Sequence, residues 1–257
     1  MVNEEWGIKW RSQEGVNTVK VRPRVLHLQV VATEVALILL ISAMLPTIAV
    51  AGKYRTIEAH LQHKTQPWGQ VLNSKGYPCG CGATAWTIVF GYWKEHRGKT
   101  RLLEGGSSAL PEHMREIARI MGTTHGTYKG QKWGRTMPRK MPKACKYVRN
   151  RGYNCSIKRV RDTEFNKFWK VKAALDKDKP VIVLINNPKK AFSSLHYPVI
   201  EKAELKQKKV LGKWRNRDVR YFVNMQGGSY NWIWVREVGR NTHKHTGCFS
   251  MFFLDIK

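Results

Sequence analysis

Tyr77-Pro78-Cys79-Gly80-Cys81-Gly82-Ala83-Thr84-Ala85-Trp86-Thr87-Ile88-Val89-Phe90-Gly91-Tyr92 is the stretch that decides how this chain is read. From Ala85 onward apolar residues fall on every side of a helical wheel: Ala85, Trp86, Ile88, Val89, Phe90, Tyr92 and Trp93. A helix with no polar face has to be buried. The spacing predicts one over Thr84 to His96. Glycines and a cysteine stand at its mouth. The positive end of the helix dipole and its unpaired amides favour thiolate there, which is how a cysteine nucleophile is made. A buried helix that merely begins near a disulfide cysteine would look the same from these residues alone.

Further along, Pro180-Val181-Ile182-Val183-Leu184-Ile185-Asn186 is continuously apolar and β-branched, the pattern of a buried strand. Ser194-Leu195-His196-Tyr197-Pro198-Val199-Ile200 reads as a second strand opening on a histidine, and Arg220-Tyr221-Phe222-Val223-Asn224 as a third ending on an asparagine. A cysteine, a histidine and an asparagine in that order, far apart in sequence, is the arrangement of papain-like enzymes.

Trp68-Gly69-Gln70, Tyr77-Pro78 and Cys81-Gly82-Ala83-Thr84-Ala85 together resemble the opening of the streptopain family of papain-fold cysteine peptidases. In that family a glutamine-bearing segment precedes a Gly-Cys-x-Ala-Thr-Ala helix. Phe165 to Asp178 with Lys179-Pro180-Val181 is similar to its amphipathic helix and Pro-Val strand. Asn224 with Gly227-Gly228 and an aromatic strand is similar to its Asn-Trp-Gly-Trp-Gly-Gly segment. The resemblance covers residues 66–256, and double-glycine leader peptidases share the same fold logic. The departures are Leu195 for a glycine, Met225 for a tryptophan, and Glu201-Lys202-Ala203-Glu204 for a glycine-containing turn. They bear on substrate geometry more than on the nucleophile.

The resemblance implies an α+β, papain-like fold, with a helical N-terminal part packed on an antiparallel β-sheet and the active site between the two. It implies Cys81 as nucleophile, with His196 as its base and ion-pair partner. Asn224 would hold the far ring nitrogen of His196. Gln70, or alternatively Asn73, would donate to the oxyanion beside the Cys81 amide. Cys79 lies two residues upstream, outside the apolar helix, and matches no nucleophile in the motif.

Cys79-Gly80-Cys81 lacks a second cysteine pair at metal-site spacing, and His243-Lys244-His245 reads as a basic turn. No metal and no cofactor is expected. Setting Cys81 aside leaves Cys79, Cys145, Cys155 and Cys248, whose three pairings the sequence does not separate. The preferred bridge joins Cys145 and Cys155 across the Arg149-Asn150-Arg151-Gly152 bend.

From Val25 to Gly52 the only charged residue is Glu34, and Lys20, Arg22 and Arg24 lie upstream. Ala49-Val50-Ala51 after the apolar run resembles a signal-peptidase site. Residues 1–51 therefore read as a signal peptide or an N-terminal membrane anchor. The product is expected to be secreted, or held in the membrane by residues 35–52, a span just long enough to cross. Residues 52–257 suit one domain, with helices also expected over Pro111 to Met121, Pro142 to Asn150 and Glu164 to Leu175. Strands are expected at Tyr230 to Val238 and Phe249 to Ile256, with Trp232 and Trp234 in the core.

The chain carries a formal charge of +28, and the 41 Lys/Arg and 14 Asp/Glu outside residues 1–51 account for +27 of it. Such a field favours an acidic protein or peptide substrate, an anionic cell-surface polymer, or a membrane. No specific nucleic-acid motif accompanies it. Three functions remain open at this point: a cysteine peptidase, a toxin-like deamidase or acyltransferase using the same site, and a non-catalytic basic polyanion-binding protein.

Overall fold

A computed structural model describes residues 53–162, 164–186, 195–236 and 247–257. Gly52–Lys257 forms one compact unit. Its frame is an antiparallel sheet whose main path runs β4 (Cys155–Val160), β10 (Gly247–Ile256), β5 (Val181–Asn186), β7 (Val199–Val210), β8 (Lys213–Asn224), β9 (Tyr230–Arg236). The strand expected over Ser194 to Ile200 is broken. Leu195–His196, which is β6, pairs with the far end of β5, and β7 begins after Tyr197-Pro198. Proline has no N–H to give a ladder, so the break falls where the sequence places Pro198. Beyond Ile200, where β7 runs past the start of β5 at Val181, β1 (Tyr54–His60) takes over as its partner.

Two cores lie on opposite faces of this sheet. On one face α1 (Cys81–His96), α2 (Gly106–Met121) and α3 (Cys145–Arg149) pack against Ile182, Leu184, Tyr197, Val199, Phe252, Leu254 and Ile256. On the other α4 (Glu164–Leu175) sets Phe168, Val171 and Leu175 against Val181, Val183, Ile200, Leu205, Tyr221 and Val223. The mixed α+β architecture is as expected, although β1, β4 and a separate hairpin of β2 (Thr124–Tyr128) and β3 (Gln131–Arg135) interleave with the helices.

Every residue of α1 from Cys81 to Trp93 is buried, as its unbroken apolar wheel requires. Truncating Trp86, wholly enclosed, would cost about 3–5 kcal/mol. α2 starts at Gly106, so Pro111 lies inside it rather than at its start. The third expected helix divides into a 3-10 turn over Met141–Ala144 followed by α3. Cys145 and Cys155 are joined by a disulfide.

Trp232 and Trp234 are half-buried on the face opposite Ile233 and Val235, which take the core positions. The alternation is as expected but the face is reversed: Arg220 stands 4.2 Å over the Trp232 ring, and Lys206 5.7 Å over Trp234. Cations, rather than a core, cover these rings. Among the described residues no helix is long and apolar enough to cross a membrane. The leader and the His243-Lys244-His245 segment lie outside the described residues.

Candidate active site

Cys81 is the first residue of α1, three positions earlier than the periodicity predicts. The chain enters through Gly80 at φ 88°, a left-handed value that glycine adopts without strain. A Cβ there would also stand 2.9 Å from the Gly134 carbonyl oxygen, so the position excludes side chains twice over. This turn delivers Cys81 to the helix mouth, with the amides of Cys81 and Gly82 near its sulfur.

The sulfur lies against the backbone on either side of His196. Cys81 Sγ is 3.9 Å from the Leu195 carbonyl oxygen, and the Tyr197 amide also acts on it. Burial pushes the Cys81 thiol up to about 11, and the amides of Tyr197, Cys81 and Gly82 only partly offset this. Burial also lowers the pKa of His196, against the opposing pull of the Met225 carbonyl. Both shifts favour the uncharged forms over the expected ion pair: the apolar packing that makes the helix recognisable also removes the water that would stabilise separated charges.

The ring nitrogen expected to meet Asn224 meets the next residue instead. His196 Nε2 is 2.8 Å from the Met225 carbonyl oxygen. A carbonyl can only accept, so Nε2 carries the hydrogen and Nδ1 keeps the lone pair. The Asn224 side chain is fully buried and otherwise engaged. Its Nδ2 donates to Thr65 Oγ1 at 2.8 Å and to the Gln66 carbonyl at 3.0 Å, while Oδ1 accepts the Gln226 amide at 2.9 Å. Asn224 thus shapes the turn that presents the Met225 carbonyl, at one remove from the imidazole.

Gln70 is exposed on the segment 67–72. Trp68 and Pro67 carbonyls accept the amides of Gly227 and Gly228 at 3.1 and 3.0 Å, and Val71 accepts the Cys79 amide at 2.8 Å. Gln70 is therefore held between the histidine-orienting turn and the approach to Cys81. Asn73, the alternative donor, uses its side-chain oxygen to accept the Lys75 and Tyr77 amides, each at 3.0 Å. Cys79 is a free, buried thiol raised by burial, with Arg115 opposing.

Gln226 belongs to the site and escaped the sequence reading. Its Nε2 donates to the Cys81 carbonyl at 2.9 Å and to the Tyr197 carbonyl at 2.8 Å. One buried amide thus ties the cysteine's helix to the histidine's strand. The usable signal was its place beside Gly227-Gly228, where the chain turns at positive φ from Gln226 onward. Among the described residues no group of three His, Cys, Asp or Glu side chains could hold a metal.

A buried thiol at a helix mouth, set against a histidine-bearing strand break, is an arrangement that suits a cysteine peptidase. The sequence matches the Peptidase_C39 like family over residues 57–211, more than half of the chain, and the chain belongs to that family. Gln70, Cys81 and His196 lie inside the match, and Asn224 lies beyond its end. The fold is similar to that of active wild-type interpain A cysteine protease of Prevotella intermedia, at 13% identity and a TM-score of 0.46. That similarity covers 77% of this chain and 94% of the other. No curated protein matches the sequence.

Proposed function

We propose that this chain hydrolyses peptide bonds through an acyl-enzyme on Cys81, with His196 as the base. The observation that carries the reading is the seating of Cys81 Sγ between the Leu195 carbonyl and the Tyr197 amide, which flank His196. From the neutral resting pair, Nδ1 takes the thiol proton as sulfur attacks the scissile carbonyl carbon. The same proton passes to the leaving amine as the carbon–nitrogen bond breaks. Water, deprotonated by the same nitrogen, then releases the acyl group from sulfur. Gln70 and the Cys81 amide are the donors to the oxyanion in this reading.

The streptopain-like order of Gln70, Cys81, His196 and Asn224 supports the finer family assignment. The apolar segment before Ala51 supports export or anchoring, which the mature N-terminus of the natural product would test: Gly52 supports cleavage, and Met1 in a cytosolic fraction sinks it. Activity is tested by incubating wild type and Cys81→Ala with a peptide mixture and analysing products by mass spectrometry. New termini that need Cys81 mean peptidase. Glutamine converted to glutamate without new termini means deamidase. No Cys81-dependent product sinks both enzyme readings.

A further inference from the structure

The β2–β3 hairpin grows out of the mouth of α1. Its base is held there by backbone contact, since a Cβ on Gly134 would lie 2.0 Å from the Pro78 carbonyl oxygen. Beyond it, Thr136 crowds Gly82, where a Cβ would come within 2.8 Å of the Thr136 side chain, and the Thr136 carbonyl accepts the Tyr197 hydroxyl at 3.0 Å. Residues 134–136 therefore thread between the helix that carries Cys81 and the strand break that carries His196. From there the arm leaves the core, and no residue from Thr124 to Arg135 is buried.

Its composition is unusual for a solvated hairpin. Tyr128 is 67% exposed and Trp133 39%. The Trp133 ring lies across Gly126, where a Cβ would fall 2.3 Å from it, so glycine opposite lets the indole lie flat on the hairpin. Lys129 stands 5.6 Å over the Tyr128 ring and Lys132 5.0 Å over Tyr77. Among the described residues neither lysine, nor Arg135, has a carboxylate partner. Residues 117–161 contain thirteen Lys/Arg and no Asp/Glu. Exposed aromatics beside unpaired cations make a contact surface for an anionic partner.

We infer that the β2–β3 arm selects the substrate, taking an acidic segment of a peptide as that peptide runs to Cys81. Lys129, Lys132 and Arg135 receive its carboxylates, and Trp133 covers an apolar side chain between them. A polynucleotide would also satisfy the charge, but the arm's root at Pro78–Gly80 favours a ligand whose backbone continues to the thiol. The inference rests on the peptidase reading and adds its specificity.

The test uses the full chain with Cys81→Ala and a fluorescent peptide rich in Asp and Glu, read by anisotropy. Lys129→Glu/Lys132→Glu should weaken binding at least ~10-fold, and the gap should close as salt rises. Trp133→Ala should weaken binding with little change in salt dependence. Thermal unfolding of each variant checks that the fold is retained. Equal affinity in the folded charge-reversed chain overturns the inference. So does displacement of the peptide by single-stranded RNA but not by unlabelled peptide.

A parallel assay with active chain separates the two claims. If wild type cuts no peptide while the binding difference holds, the peptidase reading falls and the arm stands. If wild type cuts acidic and neutral peptides at a ratio the double reversal leaves unchanged, the arm falls and the peptidase reading stands.

Discussion

His196 is oriented by Met225 through the backbone: Nε2 lies 2.8 Å from the Met225 carbonyl oxygen, and Asn224 holds the turn that places this carbonyl. The imidazole's tautomer therefore depends on a peptide group, and side-chain identity at Asn224 governs it only through the turn.

Asn224→Ala is accordingly a stability variant first. It removes three hydrogen bonds, two of them buried and one part-buried, a loss of about 2–4 kcal/mol in denaturant unfolding. In the chain that remains folded, nitrogen-15 NMR of His196 should still show hydrogen on Nε2. A switch to the Nδ1–H tautomer would mean that Asn224 sets it directly.

Gln226→Ala should damage catalysis more than binding. It frees the Cys81 and Tyr197 carbonyls that one amide now joins, so the nucleophile and base lose their shared brace. With chemistry rate-limiting, kcat should fall about 10- to 100-fold with KM little changed. A rise in KM alone would assign Gln226 to substrate binding.

Glu201 gives the fold a pH signature. It is buried and accepts the Thr65 amide at 2.9 Å, and burial raises its carboxyl above the ordinary 4.5 despite the Thr65 bonds and nearby Lys64. An acid with a raised folded pKa binds more protons folded than unfolded, so its ionisation removes stability as pH climbs from 4.5 to the raised value. Glu201→Gln keeps an oxygen for Thr65 and loses the titration. The Tm of wild type minus that of the variant should drop across this window, and a difference that stays flat would contradict the shift.

Cys81 should alkylate as a buried thiol does. With its pKa pushed up to about 11, the iodoacetamide rate should still be rising above pH 9, the ordinary value for the group. A rate that levels off near neutrality would support a resting ion pair instead.

The elements differ in how legible they are in the sequence. The α1 helix was legible because its burial leaves no polar face to confuse the period, and its mouth was legible from Gly80 and Cys81. His196 is legible as the polar residue at the opening of an apolar strand, while the break at Tyr197-Pro198 is not. The long β7–β8 hairpin was recognised only at its apolar ends. Its middle buries Glu204 and Gln207, where Arg220 pairs with Glu204 and Arg55 donates to Gln207 at 2.6 Å. Alternation is hidden when polar residues occupy enclosed positions. The face of the β9 tryptophans is not legible, because period two fixes alternation and leaves the choice of face to packing. The role given to Asn224 belongs in part to a carbonyl, and no side-chain pattern advertises a carbonyl.

The central claim is that Cys81, assisted by His196, is the nucleophile. The most direct measurement is acyl trapping: the full chain is mixed with a peptide thioester, quenched in acid, and mapped by mass spectrometry. The expected result is an acyl group on Cys81 in wild type, none in Cys81→Ala, and slow formation in His196→Ala. Acylation of Cys79, or a Cys81 adduct forming at the same rate without His196, would contradict the account.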